Sequence, residues 1–181
     1  MTAFAKQGER AIYEGYVISV ASGTFVAPDG TEFERDLVHH PGAVSVVPLH
    51  DDGTVTLVRQ YRAPIDADLL EIPAGKRDVH GEDAAVTASR ELAEEVGLVP
   101  GSLELLAEFY NSPGFSDEHS FVFLARDLTE CAMERDGVEE DAMVIEHVHI
   151  DDVPSLIASG AITDAKTIIG LLATRERLAR G

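Results

Sequence analysis

The stretch from about Asp83 to Val96 constrains the fold of this chain more than any other. Ala85, Ala88, Leu92 and Val96 recur at the spacing that lines them along one side of a helix, and Gly97 follows as a C-terminal stop. A stripe of this kind stays in a helix only if something covers it, and a sheet is the expected cover. Glu91 and Glu95 stand one turn apart on another side, with Glu94 beside them. Like charges at that spacing cost roughly a few tenths of a kcal/mol per pair, and the helix dipole disfavours anions near this end. Glu is a good helix former, so a solvated charged face is one account of the cluster. A hard divalent cation is the other, because it takes oxygen ligands and removes the repulsion. The nine residues SRELAEEVG leave both open.

The rest of the chain supplies the strands. YVISV and TFV lead into PDG, and TEFERDLVHH follows, which predicts strand, turn and strand in residues 1–40. GAVSVVPL, HDDG and TVTLVRQY predict a second hairpin, and LLEIPAG a short strand ending in a Pro/Gly loop. LELLAEFY and SFVFLAR read as strands flanking the loop NSPGFSDEH. RDGVEED reads as a mobile acidic loop before the strand MVIEHVHI. Two helices close the chain, DVPSLIASG and TDAKTIIGLLATRERLAR, the second ending in arginines that suit a helix C-terminus. The class is mixed α/β (α+β), with residues 1–40 as an N-terminal antiparallel strand region and residues 41–181 as the main domain.

Charge and composition narrow the partners. Fourteen basic against 33 acidic side chains leave a net charge of −19, which repels nucleic acid polymers. A small phosphorylated ligand would need local arginines or a bound metal to reverse the sign. No apolar run reaches the roughly 20 residues of a membrane span, and MTAFAKQGER lacks the apolar stretch of a secretory signal. The lone Cys131 rules out an internal disulfide and reads as buried or incidental. A cytoplasmic location is expected.

From Gly75 to Leu98 the chain reads GKRDVHGEDAAVTASRELAEEVGL, which resembles the Nudix box. The matching positions are Gly75, Glu82, Arg90, Glu91, Leu92, Glu94, Glu95, Gly97 and Leu98. Six residues separate Gly75 from Glu82 where the usual box has five, and the extra one lies in the loop before the helix. It should bulge outward without turning the carboxylates. The resemblance implies a Nudix α/β/α sandwich with a mixed sheet, and a strand–loop–helix cradle for Mg²⁺ or Mn²⁺. Carried over by position, Glu91 and Glu95 are metal ligands, Glu94 is a ligand or its neighbour, and the Ala74 carbonyl completes the site. Arg90 orients a carboxylate, and Glu82 supports the helix start.

Residues 40–172 further resemble the ADP-ribose and nucleotide-sugar pyrophosphatase branch, through HPGAVSVVPL, VRQYRAPIDADLLEIPAGK, NSPGFSDEHSFVFLA and GAITDAKTIIGLL. A proline about fifteen residues past the box marks that branch; Pro113, with Gly114, fits it or is simply a turn. Arg62 is a candidate for gripping phosphate or ribose, or else a surface ion pair. Glu71 could accept ribose or adenine hydrogen bonds or merely end a strand, and Arg59 is the weaker second arginine. Phe25 or Phe33 could wall the adenine. In the resembling enzymes the general base comes from a loop beyond the box, which points to Glu140 or Glu139 in GVEEDAM, or to a solvated acidic loop.

The implied reaction is hydrolysis of ADP-ribose to AMP and ribose 5-phosphate. The alternatives are another substrate such as ADP-glucose, GDP-mannose or NADH, and a non-hydrolytic ADP-ribose sensor. A structural Ca²⁺ scaffold lacks an EF-hand loop. His39 and His40 adjoin, and His147 and His149 share a strand face, but no further Cys or His completes a zinc set. His119 follows FSDE and could line the pocket. A homodimer paired through the N-terminal strands is implied by the resemblance.

Overall fold

The computed structural model describes residues 3–135 and 138–180. These fall into two compact units, one drawn from Met1–Gly42 and Phe109–His119, the other from Ala43–Glu108 and Ser120–Gly181.

The first unit is an antiparallel sheet of β1 (Ala5–Glu14), β2 (Ser19–Val26) and β3 (Glu32–His39), in that order. The PDG turn joins β2 to β3, with Gly30 at φ 88°. The sequence places its first strand at YVISV, whereas β1 runs earlier and Gly15 to Ile18 form the turn, closed by a 2.9 Å backbone bond. Every residue of β1 is exposed, so the period-2 burial signal that marks a strand is missing from AKQGERAIYE. Phe25 and Phe33 stack at 5.6 Å on neighbouring strands.

The second unit begins with β4 (Ala43–Pro48), β5 (Thr54–Arg62), β6 (Ala67–Glu71) and β7 (Ala74–Lys76). Helix α1 (Ala84–Val96) follows, then β8 (Leu98–Val99), β9 (Ser102–Tyr110), β10 (His119–Arg126) and β11 (Thr129–Glu130). The chain ends in α2 (Val138–Asp141), β12 (Val144–His149), α3 (Val153–Ala158) and α4 (Ala165–Arg180). A mixed sheet runs β7-β4-β10-β9, with β10 parallel to β4 and β7 antiparallel to it. A second, antiparallel sheet runs β12-β5-β6, and β11 pairs with β8.

The expected hairpin between β4 and β5 is only half realised. Its turn forms, with His50 N–H donating to Thr54 O at 2.9 Å, but beyond it the segments are joined by an isolated Leu49–Val55 bridge. All six residues of β4 are buried, and β7 and β10 already occupy its edges. The two strands therefore part into different sheets.

Strand alternation decides where the helices lie. Val44 and Val46 point into a core with Ala88, Leu92 and Val96 of α1, together with Phe123, Ala125 and Met143. Val47 faces the other way, onto α4, where a Cβ on Gly170 would come within 2.9 Å of both Val47 and Val122. The sheet is thus sandwiched by α1 and α4, the α/β/α arrangement expected. Burying the fully enclosed Leu92 side chain contributes about 1.5–3 kcal/mol. Asp83 caps α1 by accepting the Ala85 N–H at 2.9 Å, and Gly97 ends it in the left-handed region at φ 67°.

Candidate active site

Strand β7 and helix α1 build the site. Ala74 N–H donates to Glu95 Oε2 at 3.0 Å, and Gly75 lies directly beneath the Glu91 side chain. A methyl group at Gly75 would overlap the Glu91 carboxylate, so only glycine lets strand and helix approach this closely. The intervening loop passes through an exposed turn at 78–81, where Glu82 N–H reaches Val79 O at 3.1 Å. Glu91 and Glu95, one turn apart, both meet β7.

The three glutamates do not share one environment. Glu95 is only 4% exposed, and burial, with Glu91 and Glu140 nearby, pushes its carboxyl up to about 8 against the help of the Ala74 N–H. Burial likewise raises Glu91 to about 7, opposed by Arg90 and reinforced by the charges of Glu94 and Glu140. Glu94 turns instead to Arg90, whose Nη1 lies 2.9 Å from Glu94 Oε2 and 2.9 Å from Glu91 Oε1. Arg90 Nη2 stands 3.5 Å from Glu82 Oε2, and Thr87 Oγ1 donates to that same carboxylate at 2.8 Å. Arg90 thus sits among three of the box carboxylates, and Glu82 holds the helix start.

Among the described residues, no three His, Cys, Asp or Glu side chains close on one point tightly enough to form a ready metal site. The donor chemistry still suits a hard cation. Two oxygen donors, Glu91 and Glu95, resist ionisation because they are buried together, and a divalent ion beside them would remove that resistance. Glu91, Glu95 and the Ala74 carbonyl could hold it, with Glu94 beside them, held to Arg90 through Oε2.

The two residues expected to meet substrate separately are bonded to each other. Arg62 Nε and Nη2 donate to Glu71 Oε1 and Oε2 at 2.7 and 2.8 Å, and Glu71 is 1% exposed. This fork raises the Arg62 pKa despite burial. Sequence reasoning misses a supporting set at the start of α4. Lys166 Nζ stands 3.9 Å from Glu71 and 2.7 Å from Asp164, whose carboxylate accepts both the N–H and Oγ1 of Thr167 at 2.8 Å. The Ile72 N–H in turn donates to Thr167 Oγ1 at 3.0 Å. Only the stretch TDAKT, at the start of α4, could have signalled this group. Arg59 lies farther along β5, forked onto Glu146 at 2.5 and 3.3 Å.

Glu140 and Glu139 lie on the single turn of α2, where the sequence predicts a mobile loop; Asp136 and Gly137 fall outside the described residues. The charge of Glu140 bears on both Glu91 and Glu95, whereas that of Glu139 bears on Tyr61. Pro113 and Gly114 belong to the first unit, where they line a cavity of about 310 Å³ with Phe25, Arg35, Leu37 and Phe115. In the same unit His39 Nδ1 lies 2.6 Å from Asp117, and His119 stacks on Tyr110 at 4.6 Å. His147 and His149 are exposed on β12, and Cys131 is exposed rather than buried. No helix among the described residues is long and apolar enough to cross a membrane.

The family model described as the NUDIX domain matches residues 39–169. The chain is 38% identical to an ADP-ribose pyrophosphatase of Bacillus subtilis, over 86% of this chain and 84% of that one. It is 34% identical to an ADP-ribose pyrophosphatase of Mycobacterium tuberculosis, over 94% and 82% respectively. A crystal structure of an ADP compounds hydrolase superposes with a TM-score of 0.85 over 98% of this chain and 95% of the other. At 21% identity that likeness speaks to the fold.

Proposed function

The chain belongs to the Nudix family, and on that premise we propose that it hydrolyses the diphosphate bond of ADP-ribose to AMP and ribose 5-phosphate. The observation that carries the chemistry is the buried pair Glu91 and Glu95, fastened to β7 at Gly75 and Ala74 and facing the charge of Glu140. The substrate reading draws on relatives of that name which align along most of the chain.

In this reading Glu91, Glu95 and the Ala74 carbonyl would hold Mg²⁺, with Mn²⁺ as a substitute and Glu94 as a further ligand or its neighbour. The bound ion would neutralise phosphate charge and make a coordinated water more acidic. Arg90 braces Glu91 and Glu94 in their rotamers. Glu140 is the general base that takes the proton of the attacking water, with Glu139 the alternative on the same turn. Water adds to one phosphorus in line with the bridging oxygen, and the bond to that oxygen breaks.

Arg62, held rigid by Glu71, offers its guanidinium to the substrate's phosphate or ribose oxygens. Arg59 contributes positive potential from the same strand. Pro113 and Gly114 are proposed as substrate-contact residues, with Phe25 or Phe33 as an aromatic face for the adenine. Residues 1–40 form a dimerisation element, for which the wholly exposed β1, with Ile12 and Tyr13 uncovered and Phe4 uncovered just before it, gives a physical motive. The protein acts as a homodimer in the cytoplasm on a small nucleoside diphosphate derivative, with neither nucleic acid polymer nor membrane as partner.

A panel of ADP-ribose, ADP-glucose, GDP-mannose and NADH, compared by kcat/KM with Mg²⁺, tests the substrate. ADP-ribose should lead. A different leader removes the substrate assignment and leaves the hydrolase standing; binding of ADP-ribose without turnover makes the chain a sensor.

A further inference from the structure

The segment after β11 runs along the C-terminal end of α1. Cys131 N–H donates to Gly97 O at 2.8 Å and Glu134 N–H to Glu94 O at 3.3 Å. Arg135 Nε then donates to Glu95 O at 3.0 Å. The last carbonyls of a helix have no partner within it, so this segment satisfies them from outside. Arg135 also reaches in the other direction, with Nη1 donating to Met143 O at 3.0 Å.

Met143 is the residue on which α2 is anchored. Its side chain is buried in the core beside Leu92 and Val96, and its N–H donates to Glu140 O at 3.0 Å. One guanidinium therefore spans from the end of the helix bearing Glu91 and Glu95 to the end of the turn bearing Glu140. A tether is needed there. Glu140 lies close enough to the helix for its charge to bear on Glu91 and Glu95, and like charges repel. The two donors of Arg135 point in fixed directions and fit two carbonyls at once, which a single ammonium cannot do.

We propose that Arg135 is the positioning residue of this site: it fixes α2 against the C-terminal end of α1 and so holds Glu140 toward Glu91 and Glu95. This rests on the reading of Glu140 as the base. Arg135 touches neither substrate nor reacting atoms; it acts through the turn.

The test compares Arg135→Ala, Arg135→Lys, Glu140→Gln and the Arg135→Ala/Glu140→Gln double variant in ADP-ribose hydrolysis, beside amide exchange at Met143. Both Arg135 variants should lose about tenfold or more in kcat, because small displacements of a reacting group are costly. KM should stay within about twofold, since no substrate contact is removed. Arg135→Lys keeps a charge at the helix end, so its thermal midpoint should stay near the parent while kcat stays low. The double variant should be no slower than Glu140→Gln alone. Met143 exchange should quicken by about tenfold in Arg135→Ala, a readout that needs no turnover.

Parent-like kcat in Arg135→Ala, full kcat in Arg135→Lys, multiplied losses in the double variant, or unchanged Met143 exchange would each overturn the proposal. Parent-like kcat in Glu140→Gln overturns the base assignment and the proposal with it. That failure is recognisable on its own, because Arg135 is intact in that variant.

Discussion

The backbone N–H of Ala74 and the carboxylate of Glu95 are 3.0 Å apart, and this one bond ties the edge strand to the most deeply buried acid of the helix. It fixes where Glu95 can reach and leaves the loop between them free to vary in length. The adjoining contact of Gly75 with Glu91 does the same one turn earlier.

Gly75→Ala tests that second contact. The added methyl would overlap the Glu91 carboxylate, and overpacking of this kind typically costs about 1–3 kcal/mol. Thermal unfolding should drop accordingly, and ADP-ribose turnover should fall because Glu91 must swing away. A parent-like variant in both measurements would mean that the strand and helix are not held this closely.

The raised carboxyls predict a pH dependence of the metal-free protein. Glu91 and Glu95 rise from 4.5 to about 7 and about 8 in the folded state. Between those values the folded form binds more protons than the unfolded form, so stability falls as pH rises from about 4.5 to about 8. Melting in EDTA across that range should show the decline, and Mg²⁺ should flatten it by favouring the ionised pair. A metal-free midpoint that climbs with pH through this window contradicts the assignment.

Arg62 and Glu71 are separable by a paired substitution. Arg62→Met leaves the buried Glu71 with Lys166, 3.9 Å away, as its remaining cation among the described residues. Removing one partner of a buried pair costs about 3–5 kcal/mol, and the partial exposure of Arg62 places this case at or below the lower end. Adding Glu71→Gln should recover most of the stability by removing the stranded charge, while KM for ADP-ribose stays raised. Recovery of KM along with stability would make Arg62 a structural residue alone.

His39 gives a second pH signature, confined to the first unit. Its hydrogen bond to Asp117 raises its pKa, opposed by burial, and the same bond lowers Asp117 against its own burial. The His39 contribution is complete below its unfolded value of 6.5 and is lost as pH rises through the higher folded one. The Asp117 contribution is complete above 3.8 and is lost as pH falls. Asp117→Asn should therefore destabilise most between those two values, by chemical denaturation. A deficit that grows above pH 8 instead would contradict the pairing.

How much of this was legible depended on whether the partners were close in sequence. The α1 helix was, because Asp83, the Ala88–Leu92–Val96 stripe and Gly97 all act within a few turns. The split of β4 from β5 was not, since β7 and β10, some thirty and some seventy residues on, take the two edges of β4. Arg62 and Glu71 each stood out as a polar residue in an apolar setting, yet their mutual fork arises only when β5 and β6 pair. Spacing gathered Glu91, Glu94 and Glu95 on one edge, but did not show that Arg90 would hold Glu91 and Glu94 while the Ala74 N–H holds Glu95. Arg135 lay beside an acidic stretch with no local pattern, and its two acceptors are backbone carbonyls that no side-chain code announces.

The most direct measurement is release of AMP from ADP-ribose with and without Mg²⁺, in the parent and in Glu95→Gln. Glutamine can still accept the Ala74 N–H but cannot supply a charged ligand, so the fold should hold and kcat should fall by about 100-fold or more. Metal-dependent release in the parent that collapses in the variant is the predicted result. Equal release from both proteins, or release from the parent that ignores the metal, would contradict the site.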